Sequence, residues 1–131
     1  MLKSLELNLK GYKILKKYCE SKKIEFLITP FDEESLIELE SLNLNSYKIA
    51  STDATNIPFL KKVAKTGKKI ILSTGMCYMS EVERAVESIL YFNKNLVLMH
   101  CTANYPTDNN EVNLNVLKSY NEKFDCTLGY S

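Results

Sequence analysis

Apolar and polar positions along the chain alternate between two rhythms. Five short runs are dense in aliphatic and aromatic residues: Ile24–Thr29 (IEFLIT), Tyr47–Ser51 (YKIAS), Lys69–Ser73 (KIILS), Leu96–Thr102 (LVLMHCT) and Cys126–Ser131 (CTLGYS). KIILS and NLVLMHC are almost continuously apolar, as strands are when covered on both faces. The segments between them show the 3.6-residue spacing of amphipathic helices. Successive runs are separated by about 22 to 30 residues, the length of one strand–helix unit with a crossover. The pattern predicts an α/β fold with a parallel sheet and right-handed connections.

Helix punctuation agrees. Asn8 is a candidate N-cap for a helix through about Lys22, with Tyr12, Leu15, Tyr18 and Cys19 on one side. Asp32 is placed to cap a helix near Glu33–Ser41, buried through Leu36, Ile37 and Leu39. Asn56, with Pro58 in the first turn and Gly67 at the end, delimits a third. Ser80 and Glu83 have capping-box spacing ahead of Val82, Ala85, Val86 and Ile89. A fifth helix is predicted over about Asn113–Glu122.

A doubly wound nucleotide domain and a closed (β/α)8 barrel share this order of elements. The first normally carries a glycine-rich turn after its first strand. Here TPFDEES follows that strand, and the chain has 4 glycines in all. The barrel is therefore the expectation. With five of eight strands legible, residues 1–131 read as a single incomplete barrel domain, a piece of something larger.

Composition narrows the function. The chain has 131 residues, 45% hydrophobic and 25% charged, which suits a globular domain with a real core. A net charge of +1 gives no electrostatic case for a nucleic-acid or membrane partner. No apolar run reaches membrane-spanning length and the N-terminus lacks a signal-type core, so a cytoplasmic protein is expected. Cys19, Cys77, Cys101 and Cys126 have no CxxC or paired-histidine spacing and read as reduced thiols. Sixteen of the 17 basic residues are lysine, so an anion must be met by lysine, hydroxyls and backbone N–H rather than by forked guanidinium contacts.

Each of the five runs ends on a hydroxyl side chain, and ligands of parallel α/β sheets bind at the carboxyl ends of strands. Serine and threonine also end strands and cap helices for local reasons; five in register point beyond that. Lys48 lies inside a buried-type strand, between Tyr47 and Ile49. A surface lysine would run its ammonium out to solvent, whereas an interior one without a carboxylate invites an anionic ligand. Asp53 reads either as a helix cap or as a substrate-facing carboxylate. Tyr105, before Pro106, reads as packing or as pocket lining. His100, in an apolar strand, reads as a hydrogen-bonded core histidine rather than a metal ligand.

FLITPFDEES, YKIASTDATNIPFLKKVAKTGKKIILSTGM, HCTANYPTDNNEVNL and the final GYS together resemble the sialic acid synthase family, which includes N-acetylneuraminate, legionaminic and pseudaminic acid synthases. The resemblance covers essentially the whole chain. It implies a (β/α)8 barrel, of which this chain holds about the third to seventh strands. It also implies condensation of phosphoenolpyruvate with an N-acetylated amino sugar such as N-acetylmannosamine, assisted by manganese or magnesium. On that basis Thr29, Lys48, Ser51, Ser73 and Ser131 match the phosphoenolpyruvate contacts. Tyr105 matches a pocket tyrosine, and Asp53 stands near the sugar as the catalytic candidate.

Departures accompany the match. Thr52 replaces a usual glycine, and Ala103 stands where relatives often carry a polar residue. The family's metal-binding histidines, first-strand glutamate and second lysine have no counterparts here, so the metal has no expected ligands in this chain. The isolated chain is accordingly expected to be inactive. Two other readings are a non-catalytic truncated product or a subunit completed by another chain or a homo-oligomer, and a different phosphoenolpyruvate-using barrel such as a 3-deoxy-2-keto acid phosphate synthase. The HCTxxYP segment disfavours the last.

Overall fold

A computed structural model of the chain describes residues 7–131. Three of the expected caps open helices. Asn8 Oδ1 accepts from the Gly11 N–H at 3.0 Å and begins α1 (Leu9–Ser21). Asp32 Oδ1 accepts from Ser35 N–H at 2.6 Å and begins α2 (Glu33–Glu40). Asn56 Oδ1 accepts from Phe59 N–H at 3.4 Å and begins α3 (Ile57–Lys65), with Pro58 where no N–H is needed. Each side chain satisfies a donor that the first helical turn leaves free.

α4 (Met79–Leu90) starts differently from expectation. Ser80 is already inside the helix, so the Ser80–Glu83 box does not form. Glu81, three residues after Tyr78, reaches back to the Tyr78 N–H at 2.7 Å. Glu83 instead accepts from Lys123 on α5 (Asn115–Lys123). Among the described residues α1 buries no side chain; of its expected inner face Leu15 and Tyr18 are exposed, while Tyr12 and Cys19 are half-buried.

Among the described residues the sheet has four parallel strands in the order β1 (Ser46–Ile49), β2 (Lys69–Ser73), β3 (Leu96–His100) and β4 (Thr127–Tyr130). The expected first strand, Ile24–Thr29, is not one of them. Its extended backbone runs beside β1, where the Ile28 carbonyl accepts from Lys48 N–H at 3.1 Å and Glu25 accepts from Ser46 Oγ at 3.0 Å. Among the described residues its only sheet neighbour is β1, and Pro30 has no N–H to continue a ladder. Ile24 at 63% and Leu27 at 43% exposure gain little from pairing there.

Side chains alternate across the sheet. Tyr47 and Ile49, Ile70 and Leu72, and Leu96 and Leu98 are buried. They form the core together with Leu36 and Leu39 of α2, Leu60 and Val63 of α3, and Val82 and Ile89 of α4. The alternate residues Lys48, Ile71, Val97 and Met99 are only half-buried. Register sets Lys48, Ile71, Val97 and Thr127 in one row, and Ser73, Met99 and Gly129 in the next row toward the carboxyl ends. One face is thus packed with helices. The other offers a lysine and a row of strand-end groups.

Candidate functional site

Lys48 is the charged centre of that second face. Its partner in register is Ile71, so Ser73 stands one row higher on the same side. The ammonium donates to Ser73 Oγ at 2.6 Å and to the Ile49 carbonyl at 3.0 Å. Of its three donors one is left for a further acceptor. Burial holds the Lys48 pKa below its usual 10.5, while the nearby Cys101 opposes the shift. Among the described residues the ion pairs are Lys16–Glu20, Lys62–Glu33 and Lys123–Glu83, so Lys48 faces no carboxylate.

Around this centre the strand ends close up. Ser73 is buried, 6% exposed, and Cys101 Sγ lies 3.2 Å from its oxygen. Beyond β1 the chain enters a single 3₁₀ turn, Ser51–Asp53. Ser51 Oγ there accepts from the Gly75 N–H at 2.9 Å. A Cβ on Gly75 would stand 3.2 Å from Ser51 Oγ and 3.4 Å from the Cys101 carbonyl, so a glycine lets the three segments meet. Lys48, Ser51 and Ser73 are therefore brought together through Cys101 and Gly75.

Among the described residues no hydrogen bond joins the other expected residues to that cluster. Thr29 lines a cleft of about 370 Å³ with Tyr12, Phe31 and Leu39. Asp53 does not cap α3, which Asn56 does, and its carboxylate accepts from Thr52 Oγ1 at 3.4 Å. Tyr105 is 93% exposed on the segment 101–114. That segment is tied at its base by His100 Nε2 to the Val112 carbonyl at 2.8 Å and by Thr102 Oγ1 to the Glu111 carbonyl at 3.4 Å. His100 is a buried, hydrogen-bonded side chain. Ser131 is exposed just past β4, its N–H donating to the His100 carbonyl at 3.0 Å.

Sequence reasoning passed over Cys101 and Gly75. The parity of β3 was the available signal for the first: Val97, Met99 and Cys101 fall on the Lys48 face. It also passed over Thr74, which donates to the Met99 carbonyl at 2.8 Å and contacts the Tyr120 hydroxyl at 2.9 Å. A cleft of about 550 Å³ lies on the helical side, between Lys61 of α3 and Arg84 and Glu87 of α4, away from the strand ends. Its charged groups are exposed and its one buried polar side chain, Ser88, donates to the Ala85 carbonyl of its own helix, whereas buried polar groups converge at Lys48.

Among the described residues no group of three or more His, Cys, Asp or Glu side chains is placed to hold a metal ion. No described helix is long and apolar enough to cross a membrane.

The NeuB family model matches residues 1–131, and the chain belongs to that family. It is 46% identical over 135 residues to the N,N'-diacetyllegionaminic acid synthase of Campylobacter jejuni, covering 100% of this chain and 40% of that protein. It is 34% identical to human N-acetylneuraminate-9-phosphate synthase, covering 97% of this chain and 36% of that one. The crystal structure of an N-acetylneuraminic acid synthetase from Leptospira borgpetersenii, in complex with citrate, superposes with a TM-score of 0.91 at 34% identity, over 95% of this chain and 44% of that one. A truncated 3-deoxy-D-arabino-heptulosonate 7-phosphate synthase from Thermotoga maritima shares the fold, with a TM-score of 0.80 at 16% identity. The chain spans less than half the length of each of these relatives.

Proposed function

We propose that this NeuB-family chain is the central part, about strands three to seven, of a (β/α)8 synthase barrel that makes a nonulosonic acid. In this reading the Lys48–Ser73–Ser51 cluster receives phosphoenolpyruvate. The observation that carries it is the half-buried Lys48 ammonium, without a carboxylate partner among the described residues and 2.6 Å from a buried strand-end hydroxyl. A phosphate or carboxylate is held well by one positive charge and several short donors in a partly desolvated site. The half-buried face bearing Lys48, Ile71, Val97 and Met99 has the position of a barrel interior, closed by strands beyond the four seen here. Those strands belong to adjoining sequence or to a complementing chain, including a second copy.

The co-substrate in this reading is an N-acetylated amino sugar such as N-acetylmannosamine. The phosphoenolpyruvate methylene carbon bonds to the sugar aldehyde carbon, water attacks C2, and phosphate leaves to give a 2-keto acid. Thr29 and Ser131 extend the anion contacts, and Asp53 and Tyr105 face the sugar from the rim. The family resemblance implies manganese or magnesium, but the described residues supply no ligand set for it. Such chemistry belongs in the cytoplasm, where phosphoenolpyruvate is available.

Calorimetric titration of the chain with phosphoenolpyruvate tests the reading. Saturable binding that Lys48→Met abolishes is the expected result. Binding unchanged in Lys48→Met, or absent from the parent chain, overturns it. Incubation with N-acetylmannosamine, phosphoenolpyruvate and manganese is expected to release no phosphate from the isolated 131 residues.

A further inference from the structure

We infer that Cys101 is a positioning residue of this anion site, filling with Lys48 both lone pairs of Ser73 and so turning the Ser73 proton toward the ligand. The inference rests on the reading of Lys48 and Ser73 as an anion site and goes beyond it to a side chain that reading does not use.

A serine hydroxyl has one proton to give and two lone pairs to fill. Lys48 can only donate, and it does so to Ser73 Oγ at 2.6 Å. The Cys101 thiol stands 3.2 Å from the same oxygen, closer than its other acceptor, the Met99 carbonyl at 3.6 Å. With both lone pairs engaged, the Ser73 proton has to point elsewhere. Ser73 is 6% exposed, so bulk water gives that proton little alternative. Among the described residues no hydrogen bond donated by the Ser73 hydroxyl is found, to the Ile49 carbonyl or to any other acceptor. An anion seated against Lys48 supplies the missing acceptor.

Packing fixes the thiol in this role. Cys101 follows the parity of β3 onto the Lys48 face. Its Cβ and carbonyl lie 3.6 and 3.4 Å from where a Gly75 Cβ would be, so the strand end packs close against the glycine turn whose N–H is held by Ser51. A thiol suits the position because it donates weakly and holds Ser73 without competing strongly for its proton.

The test compares phosphoenolpyruvate binding, by calorimetry, among the parent chain, Cys101→Ser and Cys101→Ala. Cys101→Ala is expected to weaken binding about threefold to tenfold, the range of one hydrogen bond. Cys101→Ser, which keeps a donor, is expected to stay within about twofold of the parent. Equal affinity of Cys101→Ala and the parent, or a Cys101→Ser variant as weak as Cys101→Ala, overturns the inference and leaves the Lys48 site standing. Absence of binding by the parent takes both away. Alkylation of the parent chain by iodoacetamide, followed by mass spectrometry, gives a measurement independent of variant folding. Phosphoenolpyruvate is expected to slow labelling of Cys101 and not of Cys19; equal rates with and without it place the thiol outside the site and end the proposal.

Discussion

Lys48 and Ser73 are 25 positions apart in sequence, yet the ammonium of one donates to the hydroxyl of the other at 2.6 Å across neighbouring parallel strands. Register explains the contact. Lys48 pairs with Ile71, and two residues further along β2 is a rise of roughly 7 Å on the same face. That is about the reach of a lysine stem, which lies along the strand while its head meets the row above.

Alkaline pH is expected to act on this ammonium with opposite signs on binding and on stability. Burial lowers the Lys48 pKa below 10.5, so between its folded value and 10.5 the unfolded chain holds the extra proton. The Lys48 contribution to stability therefore rises with pH through that window, as an unfavourable buried charge is lost. Anion affinity falls over the same range, because the charge that binds is lost. Burial also raises Tyr47 and Tyr120 above 10.0 and Cys77 and Cys126 above 9.0, which favours the unfolded chain as pH rises, so the readout is the difference between the parent and Lys48→Met. In denaturant titrations the parent should gain stability relative to Lys48→Met as pH rises toward 10.5; parallel curves would contradict the burial argument.

Gly75→Ala is expected to damage the site more than the fold. Its methyl group would press on Ser51 Oγ at 3.2 Å and on the Cys101 carbonyl at 3.4 Å. Relief requires a few tenths of an ångström of movement at two strand ends. A cost of about 1 kcal/mol in stability is expected, at the low end for overpacking. Phosphoenolpyruvate affinity should drop together with the Ser51 contact, and an affinity equal to the parent's would show that Ser51 does not matter.

Tyr120→Phe isolates one buried hydrogen bond. Thr74 gives its only proton to the Met99 carbonyl at 2.8 Å, so the Tyr120 hydroxyl must be the donor to Thr74 Oγ1 at 2.9 Å. Removing it is expected to cost about 1 kcal/mol in urea unfolding, because Thr74 keeps its own acceptor. The ring stays packed beside Phe124, with centroids 5.8 Å apart. A loss several times larger would mean that α5 is held to the sheet chiefly by this hydroxyl.

Asp32→Ala should destabilise the start of α2 by about 1 kcal/mol at neutral pH. The backbone N–H of Ser35 is the main cause of a carboxyl pKa below 3.8. A depressed carboxylate stabilises the fold above its unfolded value, and the benefit disappears as pH falls through the folded one. The difference between parent and variant should therefore shrink in acid, as read by thermal melting at descending pH. A difference that persists in acid would exclude the carboxylate as its source.

Local signals were read well and long-range ones poorly. Asn8, Asp32 and Asn56 each cap a helix because an N-cap acts on a donor three residues away. Ser80 and Glu83 have the same spacing but are already helical, and Glu81 performs the back-reach instead. IEFLIT has strand composition and extended backbone, but composition does not report how many neighbours a strand will have. At the site, Lys48 and Ser73 were recognisable as residue types in strand context. Cys101 was not, since a thiol after a histidine at a strand end has no meaning until its neighbours are known.

The amino-acid sequence by itself determined the five helices, four of the five expected strands, their order and the parallel sheet, because these depend on periodicity and caps within a few residues. The tertiary structure decided which strand ends meet. Only pairing of Lys48 with Ile71, and of Ser73 with Met99, brings an ammonium, a buried hydroxyl and a thiol into one cluster. Side-chain parity has a period of two, so a slip of one residue in that register would turn Lys48 and Ser73 to opposite faces of the sheet.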